Sequence, residues 1–259
     1  MPPWLGAAFS IPTSTLFFWC LAPFLVDRAS ADLTALGLFA AVGLLFPATV
    51  TLINFESNRL MGPNIAGAIS GVAPVFAVLL ALIILGETPR RTQLLALAAI
   101  VGGIALMYAG ERRELRPWSL WMLALPLTAA AVRGMIQPIV KLGLAGWPDP
   151  LAAAVASYTV SSAVVIAAAA FRTGGAAPPF KGRGALWFAA VGLCNGLAVL
   201  LLYAALRRGS VGVVSPLIAT YPLVTLVLSR ISLNEERVGG GLVAGVAVTV
   251  AGVVLMLLA

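Results

Sequence analysis

Arg133 is the residue of this sequence that is hardest to place in a purely structural role. It lies near the middle of the apolar run Trp118–Leu144, where a cation costs several kcal/mol in lipid. Gln137 and Lys141 follow at intervals of four residues, so the three side chains share one helical face. This stripe predicts a binding site for a substrate carboxylate or phosphate. The alternatives are a structural pair of Arg133 with Glu56 or a buried carbonyl, and snorkelling of Lys141 to the interface.

Further polar and aromatic side chains within apolar runs are candidates for the substrate site. Tyr221 offers an aromatic face and a hydroxyl at about mid-depth, and Asn195 and Tyr203 lie eight residues apart on similar faces of one helix. Asn54 and Glu56 belong to a polar cluster that ends an apolar run. Glu56 is the carboxylate that is not clearly placed in a loop, so it is the candidate for proton coupling. Interfacial solvation of Glu56 is the alternative, with facilitated diffusion or exchange in place of coupling.

Pro74 and Pro222 stand in two apolar runs that correspond to each other. Pro74 is followed after 13 residues by Glu87, and Pro222 is followed after 13 residues by Glu235. Proline removes a backbone donor and clashes with the carbonyl four residues earlier. In a membrane helix the freed acceptor turns to a neighbour, a water molecule or a substrate. The pair predicts helix breaks that gate a transport path, as in repeat-built transporters; a fixed kink that improves packing is the alternative.

The composition indicates a polytopic helical membrane protein. Hydrophobic residues make up 61% of the 259 residues and charged residues 10%, whereas a soluble domain carries about 25% charged residues. The basic residues behind the net charge of +7 are spread over short loops, unlike a nucleic-acid footprint. We find nine apolar segments, each near the ~20 residues that cross a bilayer: Leu5–Val26, Ala35–Phe55, Asn64–Leu85, Gln93–Ala109, Trp118–Leu144, Leu151–Phe171, Ala185–Leu206, Val211–Leu233 and Val238–Leu258.

The residue types that usually carry catalysis or hold metals are scarce. The chain has no histidine, and its two cysteines, Cys20 and Cys194, lie inside apolar runs as small packing residues. The sequence also lacks clustered carboxylates and a nucleophile with a positioned base, which argues against an integral membrane enzyme. We therefore predict no catalytic residue, no metal site and no cofactor.

An internal repeat extends beyond the two proline-containing runs. Gly43-Leu44 corresponds to Gly192-Leu193, and Gly103–Met107 (GIALM) corresponds to Gly252–Met256 (GVVLM). The second half therefore shows five helices and the first half only the last four of them. We interpret the first repeat as lacking its first helix.

The charged linker Glu111–Arg116 is the natural boundary between the halves. It predicts a first repeat over residues 1–110 and a second repeat over residues 111–259. Matched halves of five helices would be inverted in the membrane. The basic residues divide six against eight between the two sides, which leaves the orientation open.

Three stretches of the sequence carry a family resemblance. They are Ala73-Pro74-Val75 with Leu85-Gly86-Glu87, Tyr203-Ala204-Ala205-Leu206 before Arg207, and Leu233-Asn234-Glu235 before a glycine-rich last helix. They resemble the drug/metabolite transporter superfamily and its EamA-type repeat. The resemblance implies a ten-helix fold of two inverted five-helix repeats, of which nine helices are seen here (4+5), in the inner membrane of a bacterium. It also implies transport of small metabolites, often amino acids and usually outward, with a cytoplasmic C-terminus.

The sequence therefore predicts a secondary transporter, in the direction of export, for small metabolites such as amino acids or organic anions. Rocking of one half against the other would give alternating access. Its partners would be the lipid bilayer and a small-molecule substrate, without nucleic acid, and a homodimer stays open. The alternative is a non-transporting or truncated membrane protein that acts as a scaffold or partner subunit.

Overall fold

The computed structural model describes residues 3–61, 66, 69–109, 120–173, 183–221, 224 and 240–258. These residues form α-helices and no β-strand, so the prediction of an all-α fold is confirmed. The predicted linker Glu111–Arg116 and the repeated Glu235 lie outside them. The ten helices of this part of the chain are α1 (Pro3–Leu25), α2 (Leu33–Leu45), α3 (Ala48–Met61), α4 (Ala73–Leu85), α5 (Arg91–Ala109), α6 (Leu120–Gly146), α7 (Pro150–Thr173), α8 (Arg183–Arg208), α9 (Val211–Ile218) and α10 (Gly240–Leu258).

Long apolar stretches dominate these helices. Five described stretches have the length and composition to cross a bilayer: Trp4–Leu25, Leu33–Met61, Trp121–Gly146, Pro150–Thr173 and Gly184–Arg208. Three shorter apolar stretches lie in α4, α5 and α10. Each of the nine predicted segments therefore contains at least one helix in the described part of the chain.

The predicted segment Ala35–Phe55 holds two helices instead of one. α2 ends at Leu45, and Phe46 takes an extended conformation with φ −139° and ψ 135° before the cis peptide bond to Pro47. A residue that precedes proline is driven out of the helical region by contact with the proline ring. The chain resumes as α3 at Ala48, and the amide of Thr51 donates to the Pro47 carbonyl at 2.9 Å. Sequence reasoning missed this break because Pro47 lies inside an otherwise continuous apolar run.

The chain forms two compact units, each drawn from both halves of the sequence. Unit 1 comprises Met1–Phe55 and Ile139–Arg208, and unit 2 comprises Glu56–Pro138 and Gly209–Ala259. Unit 1 therefore holds α1, α2, α7 and α8, whereas unit 2 holds α4, α5, α9 and α10. The predicted division at residue 110 concerns the sequence repeat and stays a prediction.

In unit 1, repeat-related serines hold repeat-related glycines. The Ser14 hydroxyl of α1 donates to the Gly192 carbonyl of α8 at 2.7 Å, and the Ser161 hydroxyl of α7 donates to the Gly43 carbonyl of α2 at 2.5 Å. Both serines are buried. In a membrane interior, small residues let helix backbones approach, and hydroxyls bond across the contact. Two matched copies of one device therefore join α1 to α8 and α7 to α2.

The same helices meet through a third pair of hydroxyls. Thr15 Oγ1 of α1 lies 2.6 Å from Ser162 Oγ of α7, and Thr15 also donates to the Tyr158 carbonyl at 3.0 Å. Thr15 directly follows Ser14, and Ser162 directly follows Ser161. The pair therefore lies between equivalent positions of the two repeats, and it joins α1 directly to α7.

In unit 2, the helices that carry the matched glycines pack against each other. α5 packs along α10, and α4 packs on α9. A Cβ built on Gly103 would lie 2.3 Å from Thr249 Oγ1, and one built on Gly252 would lie 3.0 Å from the Ile100 amide nitrogen. Neither position has room for a side chain. The corresponding stretches GIALM and GVVLM thus form the contact between α5 and α10.

Candidate functional site

Helix breaks occur at matching positions in the two repeats. Residues 71–72 form a turn before α4 begins at Ala73, and residues 219–220 form a turn after α9 ends at Ile218. The Val72 amide donates to the Ile69 carbonyl at 3.3 Å, and the Thr220 amide donates to the Leu217 carbonyl at 3.2 Å. The donor and the acceptor of the second hydrogen bond each lie 148 residues after those of the first. The repeat is therefore visible in the backbone as well as in the sequence.

Pro74 lies in the first turn of α4, directly after the break. A helix leaves its first amides without an internal partner, so proline costs no hydrogen bond there. Pro74 thus starts a new helix segment, and the interruption itself lies in the turn before it. Pro222 lies outside the described residues. The gating role of both prolines stays a prediction.

Arg133 and Gln137 flank the point where α6 meets the start of α4. A Cβ built on Gly134 would lie 2.7 Å from the Ala73 carbonyl oxygen and 2.8 Å from the Ala77 amide nitrogen. Glycine is therefore required for the two backbones to come this close. Arg133, the preceding residue, is half-buried, and Gln137, one turn later, is buried. Both predicted site residues accordingly lie beside the broken helix.

The Gln137 side chain leaves part of its hydrogen-bonding capacity unused. Its Nε2 donates to the Arg133 carbonyl at 3.5 Å, and its Oε1 is buried without a hydrogen-bond partner in the described part of the chain. The hydroxyl of Ser215 in α9 is likewise buried without a hydrogen-bond partner in the described part of the chain. A buried polar group without a partner costs about 1–3 kcal/mol. Two such atoms in unit 2 indicate groups kept for a ligand or for water.

Glu56 forms an ion pair with Arg59 within α3. Arg59 Nε donates to Glu56 Oε2 at 2.9 Å, and its Nη2 contacts the other carboxylate oxygen. The Glu56 side chain is 35% exposed and the Arg59 side chain 61% exposed. The ion-pair partner of Glu56 is thus Arg59. The structural alternative for Arg133, an ion pair with Glu56, is not what the structure shows. Asn54, the neighbouring candidate, is half-buried in the same helix.

In unit 1, Asn195 and Tyr203 lie near a tyrosine that sequence analysis did not select. Asn195 Nδ2 donates to the Tyr158 hydroxyl oxygen at 3.1 Å, and the Tyr158 ring stands edge-on to Phe18 with centroids 5.0 Å apart. Tyr158 and Tyr203 are both buried. The signal that could have found Tyr158 is a tyrosine inside an apolar helix, because a buried hydroxyl usually needs a partner.

The structure also places the two remaining predicted site residues, Tyr221 and Lys141. Tyr221 is 40% exposed and follows the turn at residues 219–220. Lys141 is half-buried and belongs to unit 1, whereas Arg133 and Gln137 belong to unit 2. The common stripe of three polar side chains on α6 is therefore divided between the two units.

Comparison with known proteins decides what kind of protein this fold represents. The sequence model of the EamA-like transporter family matches residues 1–109 and 119–258, as two repeats that cover most of the chain. The chain belongs to the EamA-like transporter family. The predicted resemblance to the drug/metabolite transporter superfamily is thereby confirmed, and so is the multi-pass membrane character.

The EamA-like fold is also found among solved structures. A crystal structure of a protein 18% identical in sequence superposes with a TM-score of 0.73, and the alignment covers 100% of this chain and 88% of that chain. At this identity the similarity shows the fold alone. No protein with a curated description matches the EamA-like chain.

Proposed function

We propose that this EamA-like protein is a secondary transporter that exports small zwitterionic or anionic metabolites across the inner membrane, with amino acids as the leading class. The observation that carries the proposal is the pair Arg133 and Gln137 beside the broken helix of unit 2. A half-buried cation and an unpartnered buried amide oxygen lie one turn apart on a helix long enough to cross the bilayer.

Arg133 supplies the anion-binding part of the proposed site. A guanidinium presents a planar fork of N–H donors that fits a carboxylate through two parallel hydrogen bonds. Inside a membrane such a group faces a cavity, a partner or a ligand, because exposure to lipid is costly. The adjacent start of α4 adds the positive end of a helix dipole. Both features favour a substrate with a carboxylate.

Gln137 favours an amino acid over a simple organic anion. Whichever way its amide is turned, one of its two polar ends is a donor and the other an acceptor. A carboxylate uses the donors near Arg133, but it cannot satisfy the acceptor. An ammonium group can satisfy it, and an amino acid carries an ammonium and a carboxylate on the same carbon atom. We therefore assign the substrate carboxylate to Arg133 and the ammonium to the Gln137 oxygen.

The break before α4 provides a joint for alternating access. In repeat-built transporters, discontinuous helices line the site and their half-helix N-termini point at anionic groups. Here the turn at residues 71–72 precedes Pro74, and Gly134 keeps α6 in contact with the first turn of α4. A change at the turn would therefore act directly on the surroundings of Arg133.

Solute exchange in proteoliposomes tests the function and the site together. Pools of labelled amino acids and organic anions are offered to the wild type, Arg133→Ala, Arg133→Lys and the control Arg28→Ala, an exposed arginine of unit 1. We expect saturable exchange of an amino acid by the wild type and the control, a loss of about tenfold or more in Arg133→Ala, and partial recovery in Arg133→Lys. Loading the substrate on either side of oriented vesicles tests the preference for export.

Two outcomes would contradict this proposal in different ways. Exchange that survives Arg133→Ala would keep the transporter and remove Arg133 from its site. No exchange of any pool by monodisperse wild-type protein would favour the alternative of a membrane scaffold or partner subunit.

A further inference from the structure

A cavity of about 350 Å³ lies within unit 2, away from the predicted site residues. It is formed by the end of α4, the loop that leads to α5, and the starts of α5 and α9. Its floor includes Val78 and Ala81, which are both buried. Its rim carries Glu87, Arg90, Gln93 and Ser210. The buried part of the lining is thus apolar, and the rim is polar. The volume lies at the lower end of the range for small-ligand sites, about 300–1,000 Å³.

The rim is held in place by backbone hydrogen bonds. Gly86 takes a left-handed conformation with φ 66°, which ends α4 and turns the chain toward Glu87. Glu87 Oε2 accepts from the Val211 amide at 2.8 Å, at the first turn of α9. Gln93 Oε1 accepts from the Arg90 amide at 3.0 Å. The Glu87 carboxylate is therefore held at the start of α9, and the Gln93 side chain caps the backbone amide of Arg90 at the start of α5.

An acid and a base on the rim of one cavity complement a zwitterion. The Glu87 carboxylate attracts an ammonium group, and the Arg90 guanidinium attracts a phosphate or carboxylate. Gln93 and Ser210 add groups that can donate or accept. The apolar floor suits a short methylene link between the two charges. A purely anionic ligand would meet Glu87, and a purely cationic ligand would meet Arg90, so both are disfavoured.

The apolar surface beside the cavity indicates a lipid as the source of that zwitterion. On α4, Leu82 and Ile83 are 43% and 76% exposed, and on α5, Leu94 and Leu95 are 46% and 64% exposed. These residues follow the cavity floor and rim along the same two helices, on stretches apolar enough to contact acyl chains. A free amino acid also carries an ammonium and an anionic group, but it has no acyl chains that would contact this apolar surface.

We propose that this cavity binds the head group of an ethanolamine phospholipid, with its ammonium at Glu87 and its phosphate at Arg90. The acyl chains lie along the exposed leucines and isoleucine of α4 and α5. This proposal does not depend on Arg133 or on the proposed transport, because its test measures lipid binding and not solute exchange.

Native mass spectrometry of delipidated protein in detergent tests the proposal. Short-chain phosphatidylethanolamine is titrated against phosphatidylcholine, whose ammonium is blocked by methyl groups, and phosphatidylglycerol, which has no ammonium. The variants are Arg90→Gln and Glu87→Gln; the glutamine at position 87 keeps an acceptor for the Val211 amide. Arg91→Gln is the matched control, since Arg91 is an exposed arginine at the same helix start that does not line the cavity.

We expect the wild type to prefer phosphatidylethanolamine, both cavity variants to lose about threefold to tenfold in its affinity, and Arg91→Gln to bind as the wild type does. Free phosphoethanolamine and a free amino acid are then added as competitors. If phosphoethanolamine displaces the bound lipid and the amino acid does not, the lipid is supported as the source of the head group. Displacement by the amino acid, lost in the same two variants, assigns the same cavity to a free zwitterion and overturns the lipid source. Equal affinity for the three lipids, or equal loss in Arg91→Gln, overturns the site itself.

Discussion

Gly43 and Gly37 lie on the same helix, α2, in very different surroundings. A Cβ built on Gly43 would lie 2.4 Å from the Ser157 carbonyl oxygen and 2.9 Å from Val160 Cβ, whereas one built on Gly37 has nothing within 4 Å. Gly43→Ala therefore pushes α2 away from α7, and Gly37→Ala adds a methyl group in open space. The pair isolates the effect of close packing from the general effect of removing a glycine.

The magnitude follows from three terms. Overpacking a tight contact costs about 1–3 kcal/mol. Moving α2 also weakens the hydrogen bond from Ser161 to the Gly43 carbonyl, 2.5 Å long, which is worth about 0.5–1.5 kcal/mol. Alanine recovers about 1 kcal/mol of helix propensity at either position. We therefore expect Gly43→Ala to lower the free energy of unfolding by about 0.5–3.5 kcal/mol, and Gly37→Ala to leave it unchanged or raise it.

Equilibrium unfolding in mixed micelles, followed by the loss of native tryptophan fluorescence, measures both variants under one condition. Gly192→Ala is the repeat-related replicate, because its Cβ would lie 2.3 Å from the Ser10 carbonyl oxygen. If Gly43→Ala proves as stable as Gly37→Ala, the close approach of α2 and α7 is refuted. If only one of Gly43→Ala and Gly192→Ala destabilises the protein, the matched packing of the two repeats is refuted.

Three further predictions concern hydroxyls, an amide and a carboxylate. Ser14→Ala and Ser161→Ala should each lower stability by about 0.5–1.5 kcal/mol; a double variant that costs less than the larger single one in the same unfolding assay would contradict this. Gln137→Met should raise stability, because it removes a buried oxygen without a partner, and should abolish amino-acid exchange; unchanged exchange would remove Gln137 from the site. Glu56→Gln should keep exchange and its response to a pH gradient, because the Glu56 carboxylate pairs with Arg59; a lost response would restore Glu56 as a coupling residue.

Sequence reasoning reached the helices and the repeat because both depend on length and order along the chain. An apolar run of about 20 residues needs a helix in lipid whatever its neighbours are. The correspondence of Gly43 with Gly192 needs only a comparison of the two halves. The packing partners could not be reached in this way. Lipid and protein interior are both apolar, so hydrophobic periodicity does not mark which face of a membrane helix meets another helix.

The missed features have the same physical origin. Ser14 and Ser161 look like any small residues of an apolar run, and only the fold shows that each meets a glycine of another helix. Tyr158 looks like any aromatic residue of an apolar run, yet its hydroxyl oxygen accepts a hydrogen bond from the Asn195 amide. The cavity between Glu87 and Arg90 joins a loop to the start of α9, more than a hundred residues later. Pairings over such distances are set by the fold and leave no spacing signal in the chain.

Buried polar groups in the unit that holds the helix breaks support the assignment of the proposed site. In unit 1, Ser14, Thr15, Ser161 and Ser162 complete hydrogen bonds between helices. In unit 2, the Gln137 oxygen and the Ser215 hydroxyl are buried without partners in the described part of the chain. Unsatisfied polar atoms reduce stability unless a ligand or water completes them. Local rules are broken most often at functional sites. Unit 2, which also holds Arg133 and both helix breaks, is therefore where substrate binding should first be tested.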